Sequence, residues 1–110
     1  KLDFDKMIIE SKSFIGKNDL NAFRSSHCQS KSTIKTINNF TIEKKSEDLI
    51  FTISAKSFLH SQVRIMVGTL VDIGKGLLLK SVSEIIESKN RVSAGQTAPS
   101  SGLYLKKIDY

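Results

Sequence analysis

Apolar residues recur at helical spacing through residues 57–74, which read SFLHSQVRIMVGTLVDIG. Leu59, Val63, Met66, Leu70 and Ile73 step by four and three, the stripe of a helix that faces a core. Phe58, Ile65, Val67 and Val71 widen that surface. His60, Arg64 and Gly68 lie on a neighbouring line, each four residues from the last, so two polar heads rise beside a position with no side chain. A guanidinium beside a core needs an anionic partner, because an unpaired buried charge is costly. The run therefore presents half of an ion pair.

Before it, FDKMIIESKSFI places Phe4, Met7, Ile8, Phe14 and Ile15 roughly on one helical face, with Asp3 and Asp5 at its start and Gly16 as a stop. Asn18 is suited to cap a short helical turn over residues 19–24, and residues 25–32 read as a polar loop. Ile34, Thr36, Asn38, Phe40 and Ile42 alternate with other residues, as do Leu49, Phe51, Ile53 and Ala55. Two such runs around the charged turn 44–48 predict an antiparallel hairpin. After the central helix, Gly74 and Gly76 end it, and Val82, Ile85 and Ile86 mark a second amphipathic helix at about residues 80–88. A long loop covers 89–102, and Leu103, Leu105 and Ile108 suggest a closing strand. The pattern is α+β: a mainly antiparallel sheet packed against helices, in one domain over 1–110.

Composition narrows the class. Apolar residues at 39% and charged residues at 25% describe an ordinary globular chain. One cysteine, Cys28, excludes an internal disulfide framework, and with two histidines it makes a metal site improbable. No run has the length of a membrane span, and no signal peptide is recognisable. Lys1 stands where an initiator Met is usual, which suggests a processed product or a piece of something larger. The net charge of +6 favours polyanions such as RNA, or serves only as a Lys-rich solubilising surface.

Candidate chemistry is sparse. Asp3, Asp5 and Asp19 read as helix-end residues, and Asp48 as a turn residue. Asp72 lies two turns beyond Arg64, roughly 10 Å or more away at ~1.5 Å per residue, too far for a direct pair. His27 is poorly placed to activate adjacent Cys28, and His60 reads more simply as a hydrogen-bonded histidine near the core than as a general base. No Gly-rich phosphate loop of standard spacing is present. Loops of about a dozen residues are often functional, and KNRVSAGQTAPSSG combines a charge (Arg91), a flexible point (Gly95) and a rigid one (Pro99). An ordinary crossover to an edge strand is the plainer alternative.

Taken together, SFLHSQVRIMVGTLVDIGKG, KNRVSAGQTAP, SGLYLKKIDY and, upstream, GKNDLNAFRSSHCQS resemble the C-terminal half of the tRNA pseudouridine synthase A family. The match runs from about Gly16 to Tyr110 in the family's order. The resemblance implies a pseudouridine synthase-like half domain. In it, Arg64 falls on the arginine that pairs with the catalytic aspartate, and Leu103 on the apolar residue beside the target base. It also implies chemistry without a cofactor or metal, a tRNA anticodon arm as substrate, and a cytoplasmic homodimer. An N-terminal half would supply the aspartate, whose R-T-D-x-G type motif has no match here, and the isolated chain is expected to be inactive. His60 is a further candidate for the substrate side, and Arg24, Lys31, Lys56 and Arg91 are candidates for phosphate contacts on charge alone. A non-catalytic RNA-binding module and a protein-interaction domain stay open as alternatives. The intact set of Arg64, Gly68 and Leu103 weighs mildly against a decayed site.

Overall fold

A computed structural model describes residues 2–24, 33–46, 48–56, 60–98 and 103–107. Helix α1 (Phe4–Ser11) opens at Asp3, whose carboxylate accepts the Lys6 N–H at 3.1 Å and so satisfies one of the free donors of the first turn. A 3₁₀ turn, Lys12–Phe14, continues it and buries Phe14. Gly16 then takes φ +105°, a value side chains rarely adopt, and the chain turns into strand β1 (Gly16–Asp19). This strand was not expected. Asn18 spends its amide on Phe14 O at 3.3 Å and caps nothing. Asp19 instead accepts the N–H of Asn21 at 3.2 Å, opening the 3₁₀ turn Asn21–Phe23, and the Thr33 hydroxyl at 2.6 Å.

Strands β2 (Ile34–Lys45) and β3 (Asp48–Ala55) form the expected hairpin, with Lys45 opposite Asp48. Its inward face differs from the simple alternation. The register shifts between Ile37 and Asn39, so a bulge at the Asn pair moves Ile37 onto the face of Phe40 and Ile42. Ile37 is buried accordingly, while Thr36 and Asn38 are exposed. On β3 the expected positions Phe51, Ile53 and Ala55 are all buried. Strand β4 (Leu103–Lys107) lies on the other side of β3, giving the order β1-β2-β3-β4. It runs parallel to β3 because the helical excursion between them returns the chain in the same direction; the other two pairings are antiparallel.

Helix α2 (His60–Gly74) fills that excursion with α3 (Val82–Ser88). Val63, Met66, Leu70 and Ile73 are buried as their spacing predicts, and Ile65 and Val67 are buried as well. They join Met7 of α1, the sheet and Val82 and Ile85 of α3 in one core, where Phe14 stacks on Phe40 at 5.2 Å and meets Phe23 edge-on at 5.1 Å. Helix α3 starts with a capping box: Ser81 Oγ accepts the Glu84 N–H, and Glu84 accepts the Ser81 N–H. The Ser81 backbone N–H, and after it the Ser81 hydroxyl, hold the Glu84 carboxyl below its ordinary pKa. Glu10, reaching across from α1, accepts the next free donor, Val82 N–H, at 2.8 Å.

Candidate functional site

The stretch after α3 decides the geometry around Arg64. Lys89 closes the helix in the left-handed region (φ 53°), and Asn90 caps a 3₁₀ turn over Arg91–Ser93 through the Val92 N–H. Residues 94–98 then lie along α2 as a strap. The Ala98 N–H donates to Arg64 O at 2.9 Å, and the Arg64 Nε–H donates back to Ala98 O at 2.7 Å. Two turns further along the helix, the Gln96 N–H donates to Asp72 Oδ2 at 3.0 Å and the Gly95 N–H to Thr69 Oγ1 at 2.9 Å. The strap therefore runs opposite in direction to α2, along the line Arg64, Gly68, Asp72.

The spacing explains the fit. Two residues of extended chain advance ~6.6 Å, and four residues of helix rise ~6 Å. Ala98 can thus sit at Arg64 while Gln96 sits at Gly68. Contact at that point is too close for a side chain: a Cβ on Gly68 would stand 1.6 Å from Gln96 O. The strap has the same requirement, since a Cβ on Gly95 would stand 2.6 Å from Asp72 Oδ2 and 2.8 Å from Thr69 Cα. Two glycines, one on each element, let the backbones meet. Arg91 adds a clamp from within the loop, donating from Nη1 to Gly95 O at 2.8 Å and from Nη2 to Thr97 Oγ1 at 3.5 Å.

Arg64 is half-buried, and its Nε is committed to the strap. Among the described residues no carboxylate pairs with its guanidinium. A guanidinium pinned at Nε still offers its two terminal nitrogens as a planar fork, the geometry that binds a carboxylate through two parallel hydrogen bonds. Thr69, fully buried, supports the same stretch by donating to Ile65 O at 2.7 Å while accepting from Gly95. An open concavity of about 430 Å³ adjoins the Asp72 end of the strap, between Leu77, Leu78, Arg91 and Val92.

The other candidates are dispersed. His60 is the first residue of α2, and Leu103 begins β4 opposite Phe51; the side chains of both lie outside what is described. Lys31, like Cys28 and His27, lies outside the described residues. Arg24 is half-buried behind the 3₁₀ turn at Asn21–Phe23, and Lys56 is exposed just past the end of β3. Arg91 is occupied with its own loop. Sequence reasoning set Asp72 aside as too distant from Arg64 and did not consider Thr69. The available signal was the continuation of the four-residue step from Gly68 to Asp72.

Comparison with known proteins agrees with an α+β domain of this architecture. Residues 11–110 match the family described as tRNA pseudouridine synthase. The chain belongs to that family. Among curated relatives, a tRNA pseudouridine synthase A of Neorickettsia sennetsu is 51% identical over 99% of this chain and 44% of its own length. Namesakes from Anaplasma phagocytophilum and Hyphomonas neptunium are 47% and 42% identical, each over all of this chain and 45% of their own length. The chain thus spans a little under half the length of these relatives. Among the described residues, no helix is long and apolar enough to cross a membrane.

Proposed function

We propose that this chain forms one wall of the active-site cleft of a tRNA pseudouridine synthase, in which Arg64 pairs with and orients an aspartate nucleophile carried outside these 110 residues. The observation that carries the reading is the state of Arg64: Nε is fixed to Ala98 O, and no carboxylate among the described residues takes the rest of the fork. Family membership supplies a reaction that needs such a group, and the share of the relatives left uncovered leaves room for the aspartate.

In the proposed reaction the aspartate attacks C1′ of a flipped uridine as the C1′–N1 bond breaks, and C5 of the released base then attacks C1′, so that the carboxylate leaves as C1′ rejoins at C5. N1 gains a proton and the C5 hydrogen leaves to solvent, so the change is an isomerisation that balances without a cofactor. Arg64 keeps the carboxylate ionised in a closed site and aims it. Leu103 supplies an apolar wall for the extruded base and His60 stands on the substrate side. Arg24, Lys31 and Lys56 contribute phosphate contacts, whereas Arg91 holds the strap. The substrate is the anticodon arm of tRNA, and the working form is a cytoplasmic homodimer of the full-length polypeptide.

Release of tritium from tRNA transcripts carrying 5-tritiated uridine tests this directly, because rejoining at C5 expels that atom. Full-length protein is expected to release tritium, and the isolated 110-residue chain to release none. Absence of release by the full-length protein from every tRNA tried would refute the enzymatic reading. Salt-sensitive RNA binding without release would point to a binding module. Release by the isolated chain would refute the assignment of Arg64 to an aspartate elsewhere.

A further inference from the structure

We infer that Asp72 is a positioning residue for Arg64, acting at a distance through the strap. The inference rests on the functional reading above and assigns a role to a residue that reading does not use. Asp72 occupies the last turn of α2, where the partial negative charge of the helix end disfavours a carboxylate. It nonetheless keeps one oxygen on the Gln96 N–H at 3.0 Å. Two residues further along the strap, Ala98 closes a reciprocal pair of hydrogen bonds with Arg64. A residue about 12 Å along the axis from Arg64, at ~1.5 Å per residue, is thereby joined to it by a short segment of backbone.

The strap has few other anchors. Thr69 and Arg91 both act at Gly95, and Arg91 reaches Thr97 at 3.5 Å. Asp72 and Arg91 share the peptide that joins Gly95 to Gln96: Asp72 takes its N–H and Arg91 its carbonyl, one peptide before the Gln96 carbonyl that lies over Gly68. With the Asp72 bond broken, that peptide is held only from its carbonyl side by Arg91, so it can tilt; the adjoining Gln96 carbonyl then moves over Gly68, Ala98 O shifts, and Nε of Arg64 loses its fixed acceptor. The guanidinium then keeps its charge and loses its aim. Catalytic geometry is sensitive to this, since a misplacement of ~1 Å can cost on the order of 100-fold in rate.

Asp72→Ala and Asp72→Asn in the full-length enzyme separate this role from a merely structural one. The amide oxygen of Asn can still accept from Gln96, whereas Ala cannot. Asp72→Ala is expected to lower kcat by on the order of 10-fold to 100-fold with KM for tRNA within about twofold. It should also speed hydrogen exchange at the Gln96 and Ala98 amides. Asp72→Asn should restore both. Ser81→Ala, which weakens α3 away from the strap, serves as a destabilised control and should leave kcat unchanged. Wild-type kcat in Asp72→Ala would overturn the inference, as would an Asn variant as impaired as Ala. Arg64→Ala, measured alongside, keeps the two levels apart. Full turnover by Arg64→Ala would refute the functional reading, whereas its loss beside a fully active Asp72→Ala would refute only the role of Asp72.

Discussion

Gly68→Ala is the most incisive small perturbation of this site. A helix interior ordinarily gains from the change, because Ala is favoured over Gly there by about 1 kcal/mol. Here the added methyl carbon would stand 1.6 Å from Gln96 O, 2.8 Å from Gln96 C and 3.0 Å from Ala98 N. Ordinary contact begins near 3.4 Å, so the strap must retreat by about 1.8 Å. A bond of 2.9 Å between Ala98 N and Arg64 O does not survive such a shift, nor does its reciprocal at 2.7 Å. The bonds from Gln96 to Asp72 and from Gly95 to Thr69 are strained with them. At about 0.5–1.5 kcal/mol net for each bond, losing the reciprocal pair costs about 1–3 kcal/mol and losing all four about 2–6 kcal/mol, and the helix-propensity gain offsets roughly 1 kcal/mol of it. Amide exchange in the full-length protein reads this locally. The Gln96 and Ala98 amides should exchange faster while those of Val67 and Leu70 within α2 stay protected, and turnover should fall with the loss of the Arg64 anchor. Gly74→Ala is the comparison away from the strap: its methyl would meet the buried Met7 side chain (2.5 Å from Sδ, 2.8 Å from Cγ), so it disturbs core packing while the strap amides keep their protection. Unchanged strap exchange and full turnover in Gly68→Ala would refute the packing of the strap against α2.

Four further outcomes are expected. Gly95→Ala should reproduce the effect from the opposite side, since its methyl would meet Asp72 and Thr69; exchange at Gly68-facing strap amides equal to wild type would contradict this. Ser81→Ala should cost α3 about 1 kcal/mol, seen as faster exchange of its first-turn amides. Glu84 sets a pH dependence for the same box. Its carboxyl is held below its ordinary pKa by the Ser81 bonds, so its stabilising effect is complete above the unfolded value and is lost as pH falls through the lowered one. Exchange of the α3 amides should rise across that acidic window in wild type and change little there in Glu84→Gln. Phe14→Ala, which empties a fully buried ring site between Phe23 and Phe40, should cost about 3–5 kcal/mol, and a loss below 1 kcal/mol in chemical denaturation would show that Phe14 is not central to the core.

Much of the fold is legible in the sequence because local rules and packing agree there. The four-and-three steps of Val63, Met66, Leu70 and Ile73 locate α2, and the alternation of Phe51, Ile53 and Ala55 locates β3. Strand β1 escapes because GKND has neither β-branched residues nor alternation; it is a strand only by pairing with β2 from Gly16↔Ile37 to Asp19↔Ile34. The bulge at the Asn pair is likewise a tertiary outcome, and it exchanges Thr36 for Ile37 on the buried face. Arg64 is visible as a charge out of place on a core helix. The strap is not, because nothing in the letters of a loop says which helix it will lie against. Gly68 is the exception, a glycine where Ala is preferred, and its reason is the backbone of Gln96.

The central claim is that Arg64 serves a carboxylate rather than the RNA. The measurement that tests it is turnover and tRNA affinity of Arg64→Ala in the full-length enzyme, by tritium release and by filter binding at fixed salt. Most of the turnover should vanish while the dissociation constant for tRNA stays within about twofold of wild type, with an unaltered salt slope. Near-normal turnover, or a loss carried entirely by weaker tRNA binding, would contradict the claim.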